Sequence, residues 1–425
     1  MSKDAMLFGM EAEKGRWLLV VAGMAIQLCL GAIYSYSVLK VPLQSYFISL
    51  GQPASDTIML WPYIIFLLVF ALTMPLGGPY MEKYGPRKMT MIGGVLTGLG
   101  WFLASIATSP IILALMYGVV GGIGVGIAYG CPIAVSTRWF PDKRGLAVGL
   151  TVLGFGFSAA LIGPISDYLT LNFNGILNTF RLFGVGFLVI IVLLSLLLSF
   201  PPSGWAPKGW KPPTPKTGGV VKVDFTRGDM SKTSSFIGLW ICYTIGTVAG
   251  LMAIGIAKSA GLEVATNAGI DNATAQGLIT SLVIPFAACN GFGRPLFGTI
   301  TDKLNPRKTA IISYVLIMAA SLGLYLMPTS LAMYTLSFAL LWLCLGGWLA
   351  IAPTTTASYF GTKYYARNYG LVFTAYGAGA VIGNMLVGQI KDIFGSYIIA
   401  FPVVAALAGV GMIVAFALIK PPKPK

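Results

Sequence analysis

Residues 290–308 read NGFGRPLFGTITDKLNPRK, and they place Arg294 at the end of a long apolar run that begins near Ala273. The next charged residue, Asp302, follows about two helical turns later. An arginine at that position lies within the thickness of a bilayer, where a charge costs about 2.5 kcal/mol or more unless it faces protein or water. Asn290 lies one turn earlier on the same helix face. The pattern predicts an anion site in a transport path; the alternative is a structural arginine bound to carbonyls at a helix end.

The composition is that of an integral membrane protein. Of 425 residues, 56% are hydrophobic and 10% are charged, and the mean hydropathy is +0.82. About twelve apolar runs reach the roughly 20 residues that span a bilayer. Lipid cannot bond to exposed backbone, so spans are helices or closed barrels, and long unbroken runs favour helices. We predict an all-α membrane protein with twelve transmembrane helices, at about 17–46, 56–80, 88–107, 110–139, 145–169, 178–200, 235–262, 272–300, 308–327, 329–357, 368–390 and 396–419.

The net charge of +15 is distributed over short segments between the apolar runs. Every second loop is basic, whereas the other loops carry almost no charge. The basic residues are Lys3, Lys14, Arg16, Lys83, Arg87, Lys88, Arg138, Lys143, Arg144, Lys208, Lys211, Lys216, Lys222, Arg227, Lys232, Lys303, Arg307, Lys308, Lys363, Arg367, Lys420, Lys423 and Lys425. The positive-inside rule then places both termini and the segment 201–234 in the cytoplasm of a multi-pass protein of the plasma (inner) membrane.

Several classes of function are disfavoured by what the chain lacks. A basic face with interleaved aromatic residues on a soluble domain is missing, so nucleic acid is not an expected partner. The chain has no histidine, which excludes histidine-based catalysis and a histidine proton relay. Its five cysteines are scattered through apolar runs without metal-ligand spacing. No nucleophile–base set occurs in the spans, so we expect no enzyme activity, no metal and no cofactor.

The chain contains an internal repeat. Residues 78–88, GPYMEKYGPRK, recur 220 positions later as GTITDKLNPRK at 298–308, and the same offset relates Trp139-Phe140 to Tyr359-Phe360. The segment 201–234 is rich in proline, glycine and lysine, as linkers are. We predict an N-terminal six-helix bundle (1–200), a cytoplasmic linker (201–234) and a C-terminal six-helix bundle (235–425). Such duplications are typical of secondary transporters with a site between the halves.

The two copies of Gly-x-x-x-(Asp/Glu)-(Lys/Arg)-x-x-x-(Arg/Lys)-(Arg/Lys) resemble the signature of the major facilitator superfamily, and the resemblance covers the whole chain. It implies the major facilitator fold, two pseudo-symmetric six-helix bundles. In that family the acidic and basic residues of the signature tie neighbouring helices at the cytoplasmic side, and the ties break during transport. The resemblance therefore assigns gating roles to Glu82, Arg87, Asp302 and Arg307.

Further matches resemble bacterial oxalate:formate antiporters. They are the segment 138–147, Tyr129-Gly130, Asn290-Gly291-x-x-Arg294-Pro295 and 367–370 (Arg-Asn-Tyr-Gly). In those antiporters one cation in helix 8 and one in helix 11 hold a dicarboxylate. Arg294 matches the first cation. The second position falls on Tyr376, so that cation is absent.

The segment from Ser35 to Lys40 resembles the lysine segment of proton-linked monocarboxylate transporters. In that family the lysine faces outside, is linked to protonation and precedes substrate binding. Their helix 8 carries Asp-x-x-x-Arg, whereas this chain has Asn290 before Arg294. Overall the chain resembles a bacterial relative of the lactate and pyruvate carriers.

Charge counting supports the same substrate class. A dicarboxylate in a desolvated site needs two cations and a monocarboxylate needs one, because buried unpaired charge is costly. Arginine suits this role, since its planar fork can bond both carboxylate oxygens. The antiporter resemblance implies that the remaining lining is aromatic with an aliphatic wall: Tyr34, Tyr129, Phe155, Leu345, Leu349, Phe373 and Tyr376.

These patterns predict a secondary transporter of small monocarboxylates such as L-lactate and pyruvate, working by alternating access with proton symport and functional as a monomer. Arg294, Asn290 and Lys40 are the predicted polar contacts of the anion, and Lys40 and Arg294 are the predicted proton-coupling residues. Three alternatives remain at this stage: an organic-anion antiporter of the oxalate:formate type, a membrane sensor and a membrane enzyme. The short linker disfavours the sensor.

Overall fold

The computed structural model describes residues 6–202, 204–210 and 224–422. Within them a small hairpin pairs Met6–Leu7 with Met10–Glu11, and twelve long helices follow. Eleven of the twelve are long and apolar enough to cross a bilayer, and the remaining one, α3, has 19 residues. The predicted all-α membrane fold is confirmed. The helices are α1 (Ala12–Ser49), α2 (Asp56–Tyr84), α3 (Pro86–Ala104), α4 (Pro110–Trp139), α5 (Arg144–Asn172), α6 (Gly175–Ser195), α7 (Ser234–Asn267), α8 (Asn272–Leu304), α9 (Pro306–Leu326), α10 (Leu331–Phe360), α11 (Tyr365–Phe394) and α12 (Phe401–Leu418).

The helices extend beyond the predicted bounds at several ends. Helix α1 begins at Ala12 rather than at 17, and α7 ends at Asn267 rather than at 262. The apolar pattern marks only the part of a helix inside the hydrocarbon, whereas backbone hydrogen bonding continues into the polar ends. Two helices also change pitch internally: α1 has a 3₁₀ segment at Gly31–Ser35, and α4 has a π-helical segment at Ala114–Gly121.

The two copies of the repeated sequence form the same corner. Gly85 joins α2 to α3 with φ 84° and ψ 160°, and Asn305 joins α8 to α9 with φ 95° and ψ 159°. A proline, Pro86 or Pro306, opens the next helix in each case, where its missing N–H costs nothing. Asn305 also accepts a hydrogen bond from the Lys308 amide through its side chain, at 3.1 Å.

The first six helices and the last six meet along two lines of contact. Helix α2 packs along α11, and α5 packs against α8. Large apolar side chains cover the outside of the molecule; Ile413 and Phe416 of α12 are 71% and 69% exposed. An apolar exterior of this extent fits a lipid environment.

The two ends of the bundle differ in what they carry. We call the end with the Gly85 and Asn305 corners and the described linker residues 204–210 and 224–233 the linker face. The opposite end, with the loops 50–55, 173–174, 268–271 and 395–397, is the distal face.

The last part of the predicted linker packs on the second half. A short helix, Arg227–Ser231, precedes α7. The Phe225 amide donates a hydrogen bond to the Phe360 carbonyl at 3.0 Å, and Asn368 donates from Nδ2 to the Phe225 carbonyl at 2.9 Å. Residues 211–223 of the linker lie outside the described residues, as do three basic terminal residues, Lys3, Lys423 and Lys425.

Close packing of α8 on α10 depends on Gly346. A Cβ atom there would lie 2.0 Å from the Asn290 carbonyl oxygen, whereas at Gly277 of α8 it would meet nothing within 4 Å. Overpacking of this kind typically costs about 1–3 kcal/mol. We therefore expect Gly346→Ala to lower the melting temperature of the purified protein in detergent and Gly277→Ala to leave it nearly unchanged. Equal melting temperatures for the two variants would contradict this packing.

Candidate functional site

Arg294 lies between the two halves. Its side chain projects from α8, and the residue is 5% exposed. Nη1 donates a hydrogen bond to the Val152 carbonyl of α5 at 2.7 Å, while Nε and Nη2 have no hydrogen-bond partner among the described residues. No acidic side chain of the described residues forms an ion pair with it. The guanidinium thus offers two free N–H groups on one edge, the arrangement that binds a carboxylate through both oxygens.

Asn290 is fully buried one turn before Arg294. Its Nδ2 donates to the Trp342 carbonyl of α10 at 3.1 Å, and its Oδ1 accepts no hydrogen bond from any residue that the structure describes. That oxygen lies against Gly156 of α5, where a Cβ atom would come within 2.7 Å of it. Asn290 therefore fixes the rotation of α8 against α10 and lies in the contact between the halves.

Tyr34 and Tyr376 join the halves through their hydroxyls, whose oxygens are 2.8 Å apart. The 3₁₀ segment of α1 positions Tyr34: Gly31 approaches α5 so closely that a Cβ atom would lie 2.4 Å from the Phe155 carbonyl oxygen. The Tyr34 ring consequently meets the Phe155 ring edge-on, with centroids 5.1 Å apart. Phe155 in turn lies 5.9 Å from the Arg294 guanidinium carbon.

Phe70 of α2 connects the predicted aromatic residues into one cluster. Its ring lies 5.2 Å from that of Tyr129, 5.4 Å from Phe373, 5.9 Å from Tyr376 and 6.0 Å from Phe155. The Arg294 guanidinium lies close to the Tyr129 hydroxyl, and its charge also acts on the hydroxyls of Tyr34 and Tyr243. The structure thus brings five predicted lining residues together near Arg294 and adds two that the sequence did not indicate, Phe70 and Tyr243.

The two predicted leucines lie on α10. Leu345 is buried and packs on α7, where a Cβ atom at Gly250 would come within 2.4 Å of the leucine Cβ atom. Leu349 is half-buried and packs against the apolar core. Their role as an aliphatic wall stays a prediction.

Lys40 lies in a different place from Arg294. It is fully buried near the distal face, where Nζ donates to Asp56 Oδ1 at 2.5 Å and to the Tyr397 hydroxyl at 2.8 Å. The Tyr397 hydroxyl also donates to Asp56. Asp392 of α11 completes this distal cluster by accepting from the first amides of α2, those of Asp56 at 2.8 Å and Thr57 at 3.1 Å. Since Tyr397 and Asp392 belong to the second half, the cluster ties the two halves together at the distal face.

The predicted gating residues lie on the linker face. Glu82 pairs with Arg138 of α4, and Arg307 donates from Nε to the Ile419 carbonyl after α12 at 3.1 Å. Arg87 and Asp302 are exposed there. These contacts join neighbouring helices within one half, and the gating role of the four residues stays a prediction.

A partly buried ion pair also orders the loop after α4. Arg16 donates to both carboxylate oxygens of Asp142, at 2.6 and 2.9 Å, and to the Trp139 carbonyl at 3.0 Å. The hydrogen bonds from Arg16 hold the pKa of the Asp142 carboxyl below its ordinary value. This pair fixes the segment 138–147, which the sequence singled out without identifying its partner.

Sequence reasoning missed Phe70, Tyr243, Asp56, Tyr397 and Arg16 as functional neighbours. Asp56 carried no functional signal, because it lies in the first turn after the Ser55 cap, where acidic residues are common for structural reasons. Phe70 carried none, since it lies within a continuous apolar run.

The chain matches the family model described as Major Facilitator Superfamily over residues 17–270 and 235–425. It is 30% identical over 386 residues to an "Oxalate:formate antiporter" of Oxalobacter formigenes, a match that covers 89% of this chain and 86% of that protein. It is 27% identical over 424 residues to "Monocarboxylate transporter 13" of Bos taurus, covering 96% and 91%.

Among solved structures it is similar to a bacterial homolog of the human lysosomal transporter Spinster, in an inward-facing and unoccupied conformation. The TM-score is 0.63 at 17% identity, over 95% of this chain and 94% of the other, which is a likeness of fold. The family match extends over nearly the whole chain and agrees with the twelve helices and the repeated corners. The protein belongs to the Major Facilitator Superfamily, a family of membrane transporters.

Proposed function

We propose that the protein transports small monocarboxylates, L-lactate and pyruvate among them, by alternating access with proton symport. The observation that carries this is the free edge of Arg294: it lies buried between the halves, and residues 6–202, 204–210 and 224–422 supply neither a hydrogen-bond partner for Nε and Nη2 nor an acid that pairs with them. A buried unpaired charge is costly, so an anion that reaches it is bound strongly. One such cation, among aromatic rings and hydroxyls, suits one carboxylate better than two.

The proposed orientation places the linker face in the cytoplasm of the inner membrane, following the positive-inside rule. The distal cluster then closes the outer side, and the free edge of Arg294 is available to bind an anion. When the distal face opens, the anion enters, its carboxylate binds Nε and Nη2, and its short alkyl end lies among the aromatic rings. The halves then rock about the site and release the anion at the linker face. The protein does this as a monomer.

Proton coupling removes an electrical cost. Moving one charge through the membrane potential changes its free energy by about 2.3 kcal/mol per 100 mV, and a proton carried with the anion cancels that contribution. We propose Lys40 and Arg294 as the coupling residues, with Lys40 as the titrating one. A contact that the sequence did not indicate supports this role of Lys40: the Asp56 carboxylate lies 2.5 Å from Nζ and can accept its proton.

The test is uptake of labelled L-lactate into proteoliposomes with an imposed pH gradient. We expect accumulation when the side facing the distal end is acidic and none when the gradient is abolished, with competition by pyruvate and acetate and little by oxalate. Uptake that requires preloaded organic anion and is independent of the pH gradient would instead support the exchange of one organic anion for another. That second candidate is favoured by the 30% identity to an antiporter.

Lys40→Arg separates binding from proton coupling. Arginine keeps the positive charge but is not deprotonated in proteins, so the variant should bind L-lactate within about threefold of the unchanged protein yet lose pH-driven accumulation. Lys391→Arg is the matched control, since Lys391 lies on the same face and pairs with Glu263 of its own half at 2.8 Å. Full pH-driven accumulation by Lys40→Arg would remove Lys40 as the coupling residue.

A further inference from the structure

A second buried lysine binds a carboxylate across the two halves. Lys258 of α7 is 2% exposed, and its Nζ donates to Asp167 Oδ1 of α5 at 2.6 Å. The Thr280 hydroxyl of α8 lies 3.5 Å from the other carboxylate oxygen and 2.9 Å from the Gln276 carbonyl. Lys258 and Thr280 belong to the second half and Asp167 to the first. The second half therefore holds a carboxylate that is supplied by the first half.

The repeat relates this pair to the distal cluster. Lys40 lies nine residues before the end of α1 at Ser49, and Lys258 lies nine residues before the end of α7 at Asn267. The two aspartates also correspond: α5 reads Gly-x-Ile-x-Asp at 163–167 and α11 reads Gly-x-Ile-x-Asp at 388–392. The offsets are 218 for the lysines and 225 for the aspartates, close to the 220 of the repeated corner, so the site of Lys258 takes the place in the second half that the site of Lys40 takes in the first.

The two lysines differ in which half supplies the nearest carboxylate. Asp56, the partner of Lys40, belongs to the same half as Lys40. The carboxylate that Lys258 binds belongs to the opposite half. When the halves separate at the distal face, Lys40 keeps its carboxylate, whereas Lys258 and Thr280 remain together in the second half without the carboxylate that both contact. A buried lysine without a partner costs free energy. In the open form Lys258 and Thr280 therefore favour binding of another carboxylate in the place that Asp167 has left.

We propose that Lys258 and Thr280 form a second carboxylate-binding position, which Asp167 occupies while the distal face is closed and the substrate carboxylate occupies when it is open. This rests on the proposed monocarboxylate transport. Thr280 precedes Arg294 by 14 residues in α8, which separates them by about 21 Å along the helix. An anion entering from the distal side meets Lys258 first and Arg294 second. The substrate replaces Asp167, so its arrival favours the open form.

The two partners of this ion pair then have opposite effects on affinity from the distal side. Lys258→Met removes the binding group and should raise the KM for L-lactate by about tenfold. Asp167→Asn removes the competing carboxylate and should lower that KM by about threefold or more. Lys258→Arg should retain most of the affinity, because the charge remains. A purely structural ion pair would give a KM change in the same direction for both partners, and that result would overturn the proposal.

The pair Lys391–Glu263 is the matched control. It lies on the same face but within the second half, so Lys391→Met and Glu263→Gln should not shift the KM in opposite directions. An increase in KM for Asp167→Asn comparable to that for Lys258→Met would show that Asp167 does not compete with substrate.

A second measurement does not depend on transport. Spin labels at Asn172 of α5 and Thr266 of α7, both exposed, report the separation of the halves in a background without the five native cysteines. When Lys258 and Asp167 are both present, we expect L-lactate or acetate to increase the population with a longer distance between the two labels. In Lys258→Met we expect no such increase. If L-lactate is not transported at all but acetate still widens the distance through Lys258, the proposed function fails and the site stands. If neither anion changes the distance, the site fails.

Discussion

Replacing Arg294 with alanine is expected to weaken L-lactate binding by about 30- to 3,000-fold, because truncating one partner of a buried charge pair typically costs about 2–5 kcal/mol and each 1.4 kcal/mol is tenfold. Without substrate the variant should lose little stability, because the bond from Nη1 to the Val152 carbonyl is the one side-chain hydrogen bond of Arg294 that is lost among the described residues. Its Nε and Nη2 atoms have no hydrogen-bond partner in the described parts of the chain, so alanine removes an uncompensated buried charge. Isothermal titration or substrate-induced thermal shift measures the affinity, and melting without substrate reports folding.

Two further variants define what Arg294 contributes. Arg294→Lys keeps the charge without the planar fork, and we expect an affinity loss of about tenfold. Arg181→Ala removes an exposed arginine of α6 and should leave binding unchanged. Wild-type affinity in a well-folded Arg294→Ala protein would refute the anion site.

Tyr376→Lys is expected to convert the site to dicarboxylates. The Tyr376 hydroxyl lies 2.8 Å from that of Tyr34, whose hydroxyl interacts with the Arg294 charge. A lysine there would supply the second cation that a dicarboxylate requires. It would also leave two unpaired charges in the empty site, so oxalate should stabilise this variant far more than it stabilises the unchanged protein.

Thermal melting with and without oxalate, malonate and L-lactate tests this expectation. Tyr376→Met is the control, because methionine is similar in length to lysine but uncharged. Oxalate should not raise the melting temperature of this variant. Tyr376→Phe removes only the hydroxyl bond to Tyr34 and should retain L-lactate binding. If oxalate and malonate have no effect on Tyr376→Lys, this position does not face the substrate.

The sequence predicted the fold because membrane solvation imposes a coarse rule. Each bilayer crossing needs a long apolar run, and the duplicated corner at Gly85 and Asn305 fixed the relation between the two sets of helices. Arg294 was conspicuous for the same reason, as one charge within a span. Asn290 followed from the helical period.

The partners of these residues were beyond sequence reasoning. Phe70 is one phenylalanine in an apolar run of α2, and only the packing of α2 on α11 directs it toward Phe373 and Tyr376. The pairing of Lys40 with Asp56 and Tyr397 depends on α1, α2 and the loop between α11 and α12 converging at the distal face. The pairing of Lys258 with Asp167 depends on how close the halves approach in this conformation, which a linear pattern does not encode.

The matched corners at Gly85 and Asn305 carry unequal strain. Their backbone angles fall in a region that is essentially restricted to glycine, and a side-chain-bearing residue there typically stores about 1–3 kcal/mol. The first bundle adopts the corner freely, whereas the second holds its asparagine there against a conformational penalty that the bond to the Lys308 amide offsets only in part. The two copies of the repeat therefore share the backbone geometry of this bend, but only the second copy stores conformational free energy in it.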